Sequence, residues 1–132
     1  MGTSYVTIDG RSEAFNDTDL LVLLRLTTYS MRNQELLPEI AEAWEGAIQG
    51  HGPGVVNVPM DRLAGQSTER EQLSALLSGL QAEVQGFGGT VPVAYLRERC
   101  DLPGIRFDAP YPTKLLVAAI KRLRGLVDPE RP

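Results

Sequence analysis

The chain is short of the residues on which most small-protein chemistry rests. It has one cysteine and one histidine in 132 residues. A lone cysteine excludes an internal disulfide and fits a reducing compartment. The lone histidine, His51, sits between glycines and far in sequence from Cys100, so a histidine-based zinc site lacks its further ligands. Aromatic residues make up only 6% of the chain while leucine and alanine are plentiful, which favours helices over a β-sandwich. Apolar runs such as Leu20 to Leu24 fall far short of the roughly 20 residues that a membrane span needs. No charged stretch followed by an apolar run opens the chain, so no signal peptide is read and a cytoplasmic setting is expected. Lysine is also scarce, with Lys114 and Lys121 against eleven arginines, a bias of GC-rich coding that points to a bacterial-type protein.

What is present reads as one domain over residues 1–132, with residues 128–132 as a frayed tail. Hydrophobic and charged fractions of 42% and 23% are those of a globular chain and exclude wholesale disorder. The net charge of −4 is unevenly spread. Residues 1–96 hold five basic against twelve acidic residues, and residues 97–132 hold eight against five. Two halves of opposite sign either attract each other within the fold or display their charge to partners. Internal complementarity needs no further assumption and is the simpler expectation.

Along the chain, Tyr5–Ile8 and Arg11–Phe15 flank Asp9-Gly10, a strong signal for a two-residue hairpin. Asn16-Asp17-Thr18 supplies helix-capping chemistry before a segment that is apolar almost all round and reads as a central buried helix to about Arg32. Gly50 to Gly54 is a loop before an expected strand at Val55–Val58. Thr68 with Glu71 is a capping-box pattern, and Leu73, Leu76, Leu77, Leu80 and Val84 form one narrow stripe on the helix it opens. Gly86-Phe87-Gly88-Gly89 ends that helix. Thr90 and Pro92 open another, to about Cys100, and Pro103-Gly104 reads as a type II turn. A short strand at Ile105–Phe107, a rigid loop at 108–112 and a last helix from Thr113 to about Leu126 complete the reading. The expected fold is α+β and predominantly α-helical, with about five helices and a small antiparallel hairpin or three-stranded sheet. Leu20, Leu23, Leu24, Ile40, Trp44, Leu73, Leu77, Leu80, Leu96, Leu116 and Ile120 are the expected core.

One segment carries the sharpest pattern. Residues Gln34 to Gln49 read as a helix, with Pro38 in its opening turns, whose inner side holds Leu36, Leu37, Ile40, Ala41, Ala43, Trp44, Ala47 and Ile48. Glu35, Glu39 and Glu42 cluster opposite, with Glu45 at the edge, and no Lys or Arg occurs between Arg32 and Arg62. Like charges at i,i+4 repel, so an unrelieved stripe points to a basic surface that it meets. A solvated helix face is the commoner meaning of such a run.

Chemistry is harder to find. Val93, Leu96 and Cys100 share a helical face, which makes the thiol a buried core group rather than a nucleophile paired with His51. The glycines at 86–89 lack the lysine of a phosphate loop and a preceding strand, and read as a helix end with a tight link. Carboxylates are abundant, but no neighbouring base or motif singles one out, so no catalytic residue, metal ligand or cofactor is assigned. Lys114, Lys121 and Arg122 share the outer side of the last helix, and Arg97, Arg99, Arg106 and Arg124 add to a basic patch. An acidic chain without a nucleic-acid signature still argues against nucleic acid, and basic residues near a helix end also complement its dipole. In Ala109-Pro110-Tyr111-Pro112 the prolines hold the backbone extended and offer Tyr111 as an anchor, unless its ring folds back under the adjoining helix.

The leading expectation is a non-catalytic protein–protein interaction module, of immunity, antagonist or adaptor type. It would meet a basic protein partner through Glu35, Glu39, Glu42, Glu45 and Tyr111. The alternatives are a small-ligand protein or small enzyme with a pocket that sequence does not reveal, and a self-associating structural protein whose acidic stripe meets the basic last helix of another copy. No membrane partner is expected.

Overall fold

A chain reversal at Gly10, whose φ of +78° is a conformation that suits glycine, opens the fold. Strands β1 (Thr3–Ile8) and β2 (Arg11–Asn16) run antiparallel from Ile8↔Arg11 out to Thr3↔Asn16 without a bulge. Alternation places Ser4, Val6, Ile8 and Phe15 against the core, while Thr3, Tyr5 and Thr7 face solvent. This is a computed structural model, and it describes residues 2–8, 10–50, 58, 67–102 and 105–128.

Asn16 ends the hairpin and starts the first helix, its side-chain oxygen accepting from the backbone N–H groups of Thr18 and Asp19 at 3.0 and 3.3 Å. Helix α1 (Asp17–Gln34) is central, as its composition predicts. Leu20, Leu21, Val22, Leu23, Leu24, Leu26, Thr27, Thr28 and Met31 are all buried, because α2, α3, α5 and the hairpin pack around it. Burying each such Leu or Met stabilises the fold by roughly 1.5–3 kcal/mol. The two buried threonines satisfy their hydroxyls on the helix itself, Thr27 on Leu23 O at 2.6 Å and Thr28 on Arg25 O at 3.1 Å.

Helix α2 (Pro38–Gln49) buries Ile40, Ala41, Trp44 and Ile48 against this centre. Helices α3 (Ser67–Gln85) and α5 (Thr113–Val127) pack on each other and on α1, with the short α4 (Val93–Arg99) between them in sequence. All eleven residues expected in the core are buried. The α+β, mainly helical class is thus as the sequence predicts, with five helices and a two-stranded hairpin among the described residues.

Three local expectations change. The helix expected from Thr90 begins at Val93, because Thr90–Val91 forms strand β3, which pairs antiparallel with β4 (Tyr111–Pro112) as a second two-stranded sheet. The segment expected to be a rigid loop therefore supplies a strand at Tyr111. The strand expected at Ile105–Phe107 reduces to one bridge between Leu102 and Ile105. Of Val55–Val58 only Val58 is described; it belongs to no strand and packs half-buried against the core. His51, the turn at Pro103-Gly104 and the tail at 129–132 lie outside the described residues.

Arginines hold the layers together by reaching backbone carbonyls. Arg11 from β2 donates to Gly125 O and Leu126 O at 3.2 and 2.9 Å, and Arg70 from α3 donates to Val127 O at 2.9 Å. These cations sit where the last turn of α5 leaves carbonyls without helical partners, and they complement its dipole. Arg25 similarly reaches Asp101 O at 3.3 Å. An ion pair of Glu83 with Arg99 at 2.7 Å also joins the acidic first 96 residues to the basic remainder. The two parts of the chain thus meet through the packing of α5 on α1 and α3, with guanidinium–carbonyl bonds around it.

Candidate protein-interaction groove

The link between α1 and α2 departs most from the sequence reading. One helix was expected from Gln34, but α1 runs through Gln34 and α2 begins at Pro38. Glu35 caps α1 in the left-handed region at φ 56°, ψ 42°, and Leu36 N–H returns to Met31 O at 2.8 Å. Leu37 is left-handed too, at φ 50°, ψ 51°, and Pro38 takes the first helical position. Proline disfavours a helical conformation at the residue before it, which is why the helix cannot extend back through Leu37. A left-handed conformation costs a residue with a Cβ roughly 1–2 kcal/mol, and here it occurs twice in three residues.

This strained link forms one wall of a groove, and α3 forms the other. A depression of about 360 Å³ is lined by Ser30, Gln34, Leu36, Gln72, Leu76 and Glu83, among others. A second, of about 270 Å³, is lined by Leu37, Pro38, Glu39, Ile40, Glu69 and Gln72. The two share Gln72 and are both half open to solvent. Leu36 is half-buried at its wall while Leu37, Leu76 and Leu80 are buried beneath it, and Glu39, Glu69 and Glu83 bring carboxylates to the rim, the last of them paired with Arg99. Helical periodicity placed Leu76 and Leu80 on the apolar stripe of α3. It could not show that the α1–α2 link lies across from them, so Glu69, Gln72 and Glu83 escaped the sequence reading.

The expected acidic stripe is consequently divided. Glu35 is not on α2 at all, since it caps α1. Glu45 is paired: Arg32 donates to its two carboxylate oxygens at 2.6 and 3.1 Å, from the end of α1 alongside. That hydrogen bond holds the Glu45 carboxyl below its ordinary pKa and raises the Arg32 guanidinium in turn. The sequence gap in basic residues from Arg32 to Arg62 thus hid a cation that the fold supplies. Glu39 and Glu42 remain exposed on α2, and Glu39 alone of the four lines the groove.

Tyr111 is not among the residues that line the two depressions. Its hydroxyl donates to Asp19 in the first turn of α1, and its ring meets Phe107 edge-on at 6.5 Å. Burial, then the Asp19 carboxylate, pushes its phenol above the ordinary range. The half-buried ring thus joins β4 to α1 through its hydroxyl.

The other features are structural in the same sense. Cys100 is buried, its Sγ 3.8 Å from Val22 O, and burial pushes the thiol up to about 12. Arg99 lies over the rings of Tyr95 and Tyr29 at 4.8 and 5.4 Å while paired with Glu83. Arg97 and Arg106 both approach Asp108, at 3.6 and 3.4 Å, and Arg124 donates to Gln81 at 2.9 Å. Lys114, Lys121 and Arg122 are exposed on α5, although Arg122 also reaches Ala14 O at 3.3 Å. The glycines after α3 do close a helix end, with Gly86 N–H on Ala82 O and Gly88 at φ +88°, and the chain then enters β3. Among the described residues no three metal-ligating side chains converge, and no helix is long and apolar enough to cross a membrane.

Comparison with models of known protein families, with curated proteins and with solved structures finds no match to this chain.

Proposed function

We propose that this protein is a non-catalytic binding module whose groove between the α1–α2 link and α3 receives a basic, partly apolar segment of another protein. A cytoplasmic antagonist of a cationic protein, or an adaptor, is the setting that suits such a role. The observation that carries the reading is the groove itself, where the half-buried Leu36 and the carboxylates of Glu39 and Glu69 lie together, Glu83 at its far end being already paired with Arg99. A helix or strand of a partner with alternating apolar and cationic side chains would set the first on Leu36, the one groove leucine that is only half-buried, and the second against the rim. The net charge of −4 would add steering toward a cationic partner.

Strain supports the same place. Left-handed non-glycine residues persist where surrounding structure over-determines them, and they concentrate at binding sites. Glu35 and Leu37 bracket Leu36, the residue that the groove wall presents. A depression of about 360 Å³ also falls within the size range of small-ligand sites, so a small polar ligand is the second reading.

The test is affinity capture of the tagged protein from its own host's lysate, beside a Glu39→Lys, Glu69→Lys variant shown to be folded. A basic protein retained by the wild type at low salt and lost from the variant supports the reading. Equal retention by both proteins, or none by either, rejects it.

A further inference from the structure

We propose that β1 is a self-pairing edge, through which two copies of this chain join their hairpins into one four-stranded antiparallel sheet. The two outer edges of the hairpin are not alike. Counting out from the closing pair Ile8↔Arg11, residues 8, 6 and 4 exchange hydrogen bonds with β2, so the N–H and C=O groups of Thr7, Tyr5 and Thr3 point away from it. The same alternation turns Ala14 outward on β2, and that carbonyl accepts from Arg122 of α5. The β2 edge is therefore engaged by the last helix. On β1, no hydrogen bond among the described residues reaches the outward groups of Thr3, Tyr5 and Thr7, and β1 pairs with β2 alone.

Sheet edges are ordinarily blunted by a lysine, a proline, a bulge or shortness. Strand β1 has none of these: it is six residues long, paired in continuous register, and carries no charged side chain and no proline. Its outward side chains are Thr3, Tyr5 and Thr7, with Tyr5 at 67% exposure the most exposed large hydrophobic residue described. Across the sheet the exposed face continues as Ser12 and Ala14, again without charge, and Thr7 already bonds Ser12 through their hydroxyls at 2.6 Å.

The occupant is a second copy because the strand is complementary to itself. A two-fold axis at Tyr5 sets Tyr5 against Tyr5 of the second copy and Thr3 against its Thr7. Every outward N–H then meets an outward C=O. The cross-strand pairs so formed are aromatic with aromatic and threonine with threonine, both favourable kinds. Charge does not oppose pairing along this strip. Two chains of net −4 repel wherever carboxylates meet, and pairing along β1 brings no like charges opposite each other. The contact is small beside a standard interface of about 800 Å² per partner, so the dimer is a concentration-dependent one. It leaves the groove beside α3 to its own partner.

Sedimentation of the full chain from micromolar to millimolar concentration tests this, with three variants. Tyr5→Pro removes the central outward donor without touching a β1–β2 bond, and Tyr5→Lys sets two ammonium groups together on the axis. Ser12→Lys adds the same charge to the same face but on the far strand. Wild type and Ser12→Lys should pass from monomer to dimer together. Tyr5→Pro and Tyr5→Lys should need at least about tenfold higher concentration, with circular dichroism and Trp44 emission unchanged. A wild type that stays monomeric over the whole range overturns the proposal. So does a folded Tyr5→Lys variant that dimerises like the wild type.

Discussion

Replacing Tyr111 by phenylalanine separates a structural tyrosine from an interaction anchor. The variant keeps the ring, and with it the edge-on contact with Phe107, and removes only the hydroxyl that donates to Asp19. A hydrogen bond to a charged group contributes about 1.5–3 kcal/mol, but both residues are only partly buried and water takes over some of the loss. The expected cost is about 1–2 kcal/mol. For a chain of 132 residues the unfolding entropy is about 0.28 kcal/mol/K, so 1.5 kcal/mol lowers Tm by about 5 °C. Trp44, fully buried against α1, reports unfolding by its emission. Asp19 also sits in the first turn of α1, where a carboxylate favours the helix dipole, so Asp19→Ala should cost more than Tyr111→Phe. The double-mutant cycle isolates the bond itself, with a coupling of about 1 kcal/mol. An unchanged Tm together with zero coupling would refute the placement of Tyr111 as a tie between β4 and α1.

Three further outcomes follow from the same geometry. Glu35→Gly should raise stability by about 1 kcal/mol in denaturant titration, since glycine adopts the left-handed cap without the Cβ penalty; a loss would contradict strain there. The folded-state pKa of Glu45 is lowered by Arg32, so its contribution is present above the ordinary carboxyl value of about 4.3 and is lost as pH falls through the lower folded value. Glu45→Gln should accordingly be less stable than wild type at neutral pH and converge with it in acid; a difference that persists at pH 2–3, about two units below the ordinary value, would argue against the pair. Cys100, pushed up to about 12, favours the folded state less as pH rises above the ordinary thiol value of about 8.5, at about 1.4 kcal/mol per pH unit. Cys100→Ala should lose that slope between about pH 8.5 and 10, and the native thiol should react with disulfide reagents far more slowly than the denatured one.

Local features were legible where the chain states them locally. Asp9-Gly10 announced the hairpin, Asn16 the start of α1, and the all-round apolar segment after it the central helix. Leu73, Leu77 and Leu80 declared the inner face of α3. The candidate site was less so, because it depends on groups brought together from afar. Arg32 and Glu45 are thirteen residues apart and meet only because α2 packs along α1. Tyr111 and Asp19 are ninety-two apart, so no local pattern could distinguish a tethered ring from a free one. Pro38 did carry a usable signal, since proline favours the first helical position and restricts the residue before it. Read that way it moves Glu35 off the acidic face. The edge of β1 was also written in sequence as an uncharged strand, but that β2 is the engaged edge depends on Arg122 reaching Ala14 from α5.

The measurement that bears most directly on the binding-module reading is the association rate, at low salt, of a captured partner with two charge-reversed pairs. Glu39→Lys with Glu69→Lys alters the groove, whereas Glu42→Lys with Glu98→Lys alters exposed acidic surface outside its lining. The groove pair should slow association by about tenfold or more, and the other pair by no more than about twofold. Equal slowing by both pairs, or none by the groove pair, would contradict a partner seated between the α1–α2 link and α3.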